Sequence, residues 1–356
     1  MKDLTYFKEL ANLNGIAGHE RQVRNYMKKE LTKYSDEIIE DKLGGVFGIK
    51  RGEQGPTIMI AGHMDEVGAM VIGITETGFI KMLAIGGLNP EVFVSQNVQI
   101  TVGNNKTITG VVGAIPPHMS RNSEKKELSF DNLLLDIGAD SKEHAMAMGV
   151  KVGQQITPVN HYYVTEDGKK IVSKAWDDRV GCAMALEVMK EIGGMKHPNT
   201  VIAGGTVQEE VGLRGAKVAS AMITPDLFLA VDVSPIGDFL PKNDINANGT
   251  LGGGFLIRYY DPRCIMNPKL LQYFEQLAQT NNIKYQHFKS TGGTDAAEAQ
   301  YAGKGTLATT VGVPGRYIHS TATMIHVEDL KSVKDMLLAI IKDFDNQRLQ
   351  ELLAHE

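Results

Sequence analysis

The sequence predicts an α/β protein in which a mixed central sheet flanked by helices is interrupted by a small β-rich domain. Three observations carry that prediction. The run TIMIAGH (57–63) is almost wholly apolar, as a strand buried on both faces must be. From 69 to 165 the chain breaks into short alternating or β-branched runs, such as AMVIGI, GFIKML, NVQITV and TITGVVGAI, separated by Gly and Asn turns. Beyond 165 strands and helices alternate strictly, the pattern of a resumed α/β layer. The expected organisation is therefore 1–68 as the first part of a larger domain, 69–165 as a β-rich insertion, and 166–356 as the second part.

In order, residues 4–33 have helical periodicity, broken at NGIAGHE by Gly15 and Gly18. Strands are expected at EIIED, VFGIK and TIMIAGH. After the insertion come a long helix at DDRVGCAMALEVMKEI, the strand TVIAGGTV, the helix LRGAKVASAM and the strand DLFLAVDVS. The strand GGFLIRYY, the helix PKLLQYFEQLAQT, the strands KYQHF and GTLATTVGV and the helix VEDLKSVKDMLLAIIKDF complete the pattern.

Composition narrows the class of function. With 42% hydrophobic and 22% charged residues in 356, the chain is ordinary globular protein, large enough for one big domain or about two. A net charge of -5 without a long Lys/Arg run argues against nucleic acid and against a polybasic membrane anchor. Cys182 and Cys264 lack metal or redox spacing and read as buried thiols. The charged, amphipathic N-terminal segment is unlike a signal peptide, and no run approaches a membrane span, so a cytoplasmic protein is expected.

The chemistry lies in acidic and imidazole residues at predicted strand ends, where ligands of open α/β sheets collect. These are His63, Asp177, Glu209, Glu210, Asp232 and His319. Two imidazoles with several carboxylates make a nitrogen and oxygen donor set suited to zinc, cobalt or manganese. In GHMDE, Asp65 follows His63 at a spacing that lets it orient the ring. Adjacent Glu209 and Glu210 repel unless a cation or a raised pKa relieves them, a solvated turn being the alternative. Asp232, inside FLAVDVSP, needs a partner if buried. Taken alone, Asp177 and Asp178 in WDDR read as acids favoured at a helix N-terminus, and His319 in RYIHS as a surface histidine as readily as a ligand.

The segments GHMDEVG, KAWDDRVG, VQEEVGLRGA, FLAVDVSPIGD, GGGFLIRYYDP, GGTDAA and RYIHS, in order across nearly the whole chain, resemble the tetrahedral (TET) aminopeptidases, and among them the bacterial glutamyl aminopeptidases. The resemblance implies a zinc-peptidase-like catalytic domain carrying a PDZ-like or β-barrel insertion. It implies two divalent metal ions per subunit, zinc or cobalt with manganese as a further option. His63, Asp177 and Asp232 would hold one ion and Asp177, Glu210 and His319 the other, Asp177 bridging. Glu209 would be the general base and Asp65 the carboxylate that orients the histidine. Asp178 stands where relatives often carry Asn. The resemblance further implies a tetrahedral homododecamer built from dimers, acting on short peptides with a free N-terminus.

Selectivity for an N-terminal Glu or Asp is the expectation this resemblance gives. Arg258, Lys289 or Arg316 offers a cation for it, though each is otherwise an ordinary surface charge. The loop STGGTDAAEAQ is expected to border the site, with Gly293, Thr294, Asp295 and Arg258 as substrate contacts; capping of the next helix is the ordinary role of Thr294 or Asp295. Two other activities compete: a metal aminopeptidase with leucine or broad preference, and an endoglucanase-like glycoside hydrolase using two carboxylates. The second leaves both histidines and Asp232 without a role. A scaffold that has lost catalysis would not need the full donor set.

Overall fold

The computed structural model describes residues 3–114, 116–120, 128–242, 244 and 247–354. Helices Thr5–Asn12 and Arg21–Leu31 open the chain, followed by strands β1 (Glu37–Glu40), β2 (Val46–Arg51) and β3 (Thr57–His63). Six strands then close into a barrel: β4 (Gly68–Ile74), β5 (Ile80–Ile85), β6 (Asn97–Val102), β7 (Lys106–Val112), β8 (Leu134–Asp136) and β9 (Gln155–Pro158). Val71, Ile80, Met82, Val98, Ile100, Leu135 and Ile156 fill its interior from the strands, joined by Phe93 from the connection between β5 and β6.

The chain then re-enters the α/β layer. After β10 (Tyr163–Val164) and β11 (Lys170–Ser173) come the helix Trp176–Ile192, β12 (Thr200–Thr206), the helix Arg214–Ile223 and β13 (Leu227–Pro235). Strands β14 (Phe255–Asp261), β15 (Cys264–Ile265), β16 (Tyr285–Lys289), β17 (Leu307–Gly315) and β18 (Thr323–His326) complete the set. The main sheet runs β1-β2-β12-β3-β13-β17-β14-β15, with β16 on β14. Its centre, β12-β3-β13-β17, is parallel, while β2 and β14 join it antiparallel. The sheet is therefore mixed, as expected.

The parallel centre sends the ends of β3, β12, β13 and β17 toward one edge, and the helix Trp176–Ile192 begins there. Two glycines let that helix lie close to the strands. A Cβ on Gly62 would come within 2.4 Å of the backbone of Gly181 and Cys182, and one on Gly181 within 2.1 Å of the Val231 carbonyl oxygen. Cys182 and Cys264 are buried free thiols. Among the described residues, no helix is long and apolar enough to cross a membrane.

Some elements were not expected from sequence, among them the short helix Lys142–Ala147 within the β-rich stretch. The sheet β10-β11-β18 joins very short strands whose partners are far apart in the chain, so no local period announces it. The helix Asn346–Leu353 packs Leu349 and Leu352 on the main core. A buried ion cluster ties the N-terminal segment to the sheet. Lys174 Nζ lies 2.8 Å from both Glu66 oxygens, and Arg179 donates to Glu66 at 3.2 Å and to the carbonyls of Leu10, Leu13, Gly15 and Met64. Removing the only carboxylate strands two buried cations, so Glu66→Ala is expected to cost about 3–5 kcal/mol. Urea unfolding measures this; a loss below about 1 kcal/mol, the value of an exposed pair, contradicts it.

Candidate active site

His63 closes β3, paired in register with Thr206 at the end of β12. The chain leaving β12 then turns at Gln208, whose φ of 55° is left-handed, and lays Glu209 and Glu210 beside His63. Asp65 fixes that turn: its Oδ1 accepts the Glu209 N–H at 3.0 Å and its Oδ2 the Glu210 N–H at 3.1 Å. Asp232 projects from β13, Asp177 from the first turn of the helix on β3, and His319 from the loop after β17. The six residues singled out in the sequence thus meet at one edge of the sheet.

Both histidines are set to present Nε2 inward. His63 Nδ1 donates to the Asp65 carbonyl at 3.1 Å, with Asp65 Oδ1 at 3.5 Å; His319 Nδ1 donates to the Gly87 carbonyl at 2.9 Å. The inward nitrogens face the two oxygens of a single carboxylate. Asp177 Oδ1 is 3.0 Å from His63 Nε2, and Asp177 Oδ2 is 3.3 Å from His319 Nε2. Glu210 Oε2 is 3.4 Å from His319 Nε2, and Glu209 Oε2 is 3.9 Å from His63 Nε2. His63, Asp177 and Glu210 can converge on one ion.

Asp178, which with His63 and Asp232 could form a second donor group, is engaged otherwise. Its oxygens accept the backbone N–H groups of His63 at 3.1 Å and Gly181 at 2.9 Å. It anchors the helix start, and Asp177 is left facing both histidines.

The electrostatics describe a cluster short of positive charge. Burial, then the Asp177 charge, pushes Glu210 up to about 8 and Asp232 up to about 7. Burial also carries Glu209 well above the usual carboxylate range, against the pull of His63. Burial opposes charge on the imidazoles, but Glu209, Asp177 and Asp65 raise His63 well above its ordinary value, and Asp177 and Glu210 raise His319 to about 10. Asp177 is held low, despite burial, by those two rings. Glu210 Oε1 and Asp232 Oδ1 are buried without a hydrogen-bond partner. Buried oxygens without donors, beside imidazoles that can give up a proton to a cation, are what divalent ions satisfy, so the donor set fits such ions.

A cavity of about 220 Å³ opens over the cluster, lined by Asp177, Glu209, Glu210, Asp232, His319, Arg258 and the Gly292–Gly293 backbone among others. The expected contacts Gly293 and Arg258 border it. Arg258 is buried, donating to Ser290 Oγ and, at 2.5 Å, to the Gly292 carbonyl, with Asp261 at 3.6 Å from its Nε. Thr294 and Asp295 stand behind the wall: Thr294 Oγ1 pairs with Thr310 Oγ1 at 2.7 Å, and Asp295 accepts from Thr206 Oγ1 at 2.5 Å. Neither side chain caps the short helix Ala296–Ala299. Arg316 is bound to Asp238 through two nitrogens at 2.6 and 2.8 Å, and Lys289 is exposed outside this lining.

The profile of the M42 glutamyl aminopeptidase family matches residues 44–336. The chain is 36% identical to the glutamyl aminopeptidase of Lactococcus lactis subsp. cremoris, over 97% of each chain. It is 30% identical to the lysyl aminopeptidase of Pyrococcus furiosus, over 96% of this chain and 98% of that one. Its fold is similar to the TET aminopeptidase of a marine sediment archaeon, Thaumarchaeota archaeon SCGC AB-539-E09, with a TM-score of 0.94, 33% identity and coverage of 99% and 100%. It is also similar to the TET1 peptidase of Pyrococcus horikoshii, which can assemble into a tetrahedron or a large octahedral shell (TM-score 0.86, 29% identity, coverage 96% and 99%).

Proposed function

The chain belongs to the M42 glutamyl aminopeptidase family, and from that premise we propose a two-metal aminopeptidase that removes acidic residues from the N-termini of short peptides. One observation carries the two-metal reading: the two oxygens of Asp177 face the Nε2 atoms of two different histidines. In this reading His63, Asp177 and Asp232 hold one divalent ion and Asp177, Glu210 and His319 the other. Zinc and cobalt suit the donors, and manganese is compatible. Such ions, when bound, supply Lewis acidity to the scissile carbonyl and acidify a water.

The remaining steps belong to side chains. Glu209, which holds no ion in this scheme, takes the proton of the attacking water and returns it to the leaving amine. Burial supports that role by raising its proton affinity above that of an ordinary carboxylate, so that it can hold the proton it takes. Asp65 holds the Glu209 and Glu210 amides and the His63 ring together, so base and ligands move as one unit. The substrate lies along Gly292 and Gly293, and Arg258 faces an acidic side chain. Arg258 supports acidic preference by position: although held by Ser290, the Gly292 carbonyl and Asp261, it lines the cavity, whereas Arg316, paired with Asp238, and Lys289 do not.

We propose assembly as a tetrahedral homododecamer built from dimers, supported by likeness to the TET peptidases. Exposed Ile72, Leu83 and Val111 on the barrel strands are side chains that a subunit contact would cover. The function is tested with aminoacyl chromogenic substrates carrying Glu, Asp, Leu or Lys, before and after chelation. The expected result is cleavage led by Glu and Asp, abolished by chelator and restored by cobalt or zinc. Leucine leading would overturn the selectivity; chelator-resistant hydrolysis, or hydrolysis of blocked peptides, would overturn the mechanism.

A further inference from the structure

Glu20 lies in the loop that separates the first two helices, far in sequence from the candidate ligands, yet its carboxylate reaches the active-site turn. It is 6% exposed and has no cation within ion-pair distance among the described residues. Its Oε1 instead accepts the Gly18 N–H at 2.8 Å and, across 188 residues of chain, the Gln208 N–H at 3.1 Å. With the two bonds from Asp65, three consecutive amides at 208, 209 and 210 are each held by a buried carboxylate oxygen.

The geometry points to Glu20 as a positioning residue for Glu209, an inference that rests on the reading of Glu209 as base. Gln208 adopts φ 55°, a conformation that residues with a Cβ leave unless held. The turn there decides where the Glu209 carboxylate stands. Asp65 grips the turn from the strand side, at Glu209 and Glu210. Glu20 grips it one residue earlier, so rotation about Gln208 is blocked from both sides. A buried carboxylate without a cation is costly for the fold, and here its acceptor capacity is directed at backbone N–H groups rather than at a charge. The loop that holds Glu20 is itself pinned, since Ile16 N–H donates to Gln155 at 3.1 Å and Gly15 N–H to Glu66 at 3.2 Å.

The test compares Glu20→Gln, which keeps an acceptor oxygen, with Glu20→Leu, which does not, in the intact enzyme. Hydrogen exchange of the peptide covering 207–210 is expected to quicken by about 10- to 100-fold in the Leu variant, the scale of one charge-assisted bond, and to stay near wild type in the Gln variant. The kcat of the Leu variant should fall by about 10- to 100-fold, with KM, bound metal per subunit and melting temperature retained, and the Gln variant should recover most of it. If the Leu variant does not fold, Glu20→Asp, which withdraws the oxygen by one methylene, replaces it with the same expectations. Unchanged exchange, unchanged kcat despite quicker exchange, or parallel losses of metal and kcat in both variants would each overturn the positioning role. A wild-type protein without aminopeptidase activity would instead overturn the proposed function, and the exchange comparison would still decide whether Glu20 clamps the turn.

Discussion

Glu209→Gln is expected to lower kcat by about 100- to 10,000-fold, the usual contribution of a positioned general base, while the enzyme keeps its metal. The amide has nearly the same shape, so the cavity is preserved, but it cannot accept the proton of water. Glu209 Oε2 is 3.9 Å from His63 Nε2 and lines the cavity over the cluster, the place from which a base would reach a water. Steady-state kinetics on a glutamyl substrate, with metal measured by elemental analysis, checks both halves. Retention of more than about a tenth of kcat would remove Glu209 from the role of base. Loss of metal in step with kcat would make it a ligand.

The second large effect is expected at Asp177. Its two oxygens face two different histidines, and in the proposed scheme they serve both ions, so Asp177→Asn should reduce bound metal to fewer than one ion per subunit and activity by more than about 100-fold, the upper range for merely supporting residues. Asp178→Asn provides the contrast. The amide can still accept one of the two backbone N–H bonds that Asp178 now receives from His63 and Gly181. Metal should be retained while thermal stability falls. Metal loss in the Asp178 variant alone would transfer the bridge to Asp178.

The sequence made some of this site legible and left other parts hidden, for reasons visible in the residues. His63 follows an apolar run long enough only for a strand, so its place at a sheet edge followed from period and parallel topology. Asp232 announced itself as a charge inside FLAVDVSP, and the structure finds it 7% exposed with an oxygen lacking a hydrogen-bond partner. Asp177 could not be separated from a helix-start acid by pattern alone. Its distinction from Asp178 depends on which carboxylate meets backbone amides and which meets imidazoles, a matter of three-dimensional direction rather than spacing. The role of Asp65 was visible only in part. Its link to His63 follows from their spacing, but its grip on the Glu209 and Glu210 amides depends on β12 lying beside β3.

The loop GGTDAA illustrates the opposite difficulty. Its glycines were expected at the cavity, and they are there, but Thr294 and Asp295 turn inward to Thr310 and Thr206. Neighbouring residues on a tight turn point in different directions, so adjacency in sequence does not imply a shared surface. The cluster of Glu66, Lys174 and Arg179 and the reach of Glu20 to Gln208 were likewise unreadable, because each joins segments more than 100 residues apart.

The most direct test of the two-metal centre is anomalous diffraction from crystals of the cobalt-loaded protein. Two peaks per subunit are expected, about 3.5–4 Å apart, one on each side of the Asp177 carboxylate. The first should lie toward His63 and Asp232 and the second toward Glu210 and His319. A single peak, or a pair arranged about Asp178, would contradict this arrangement.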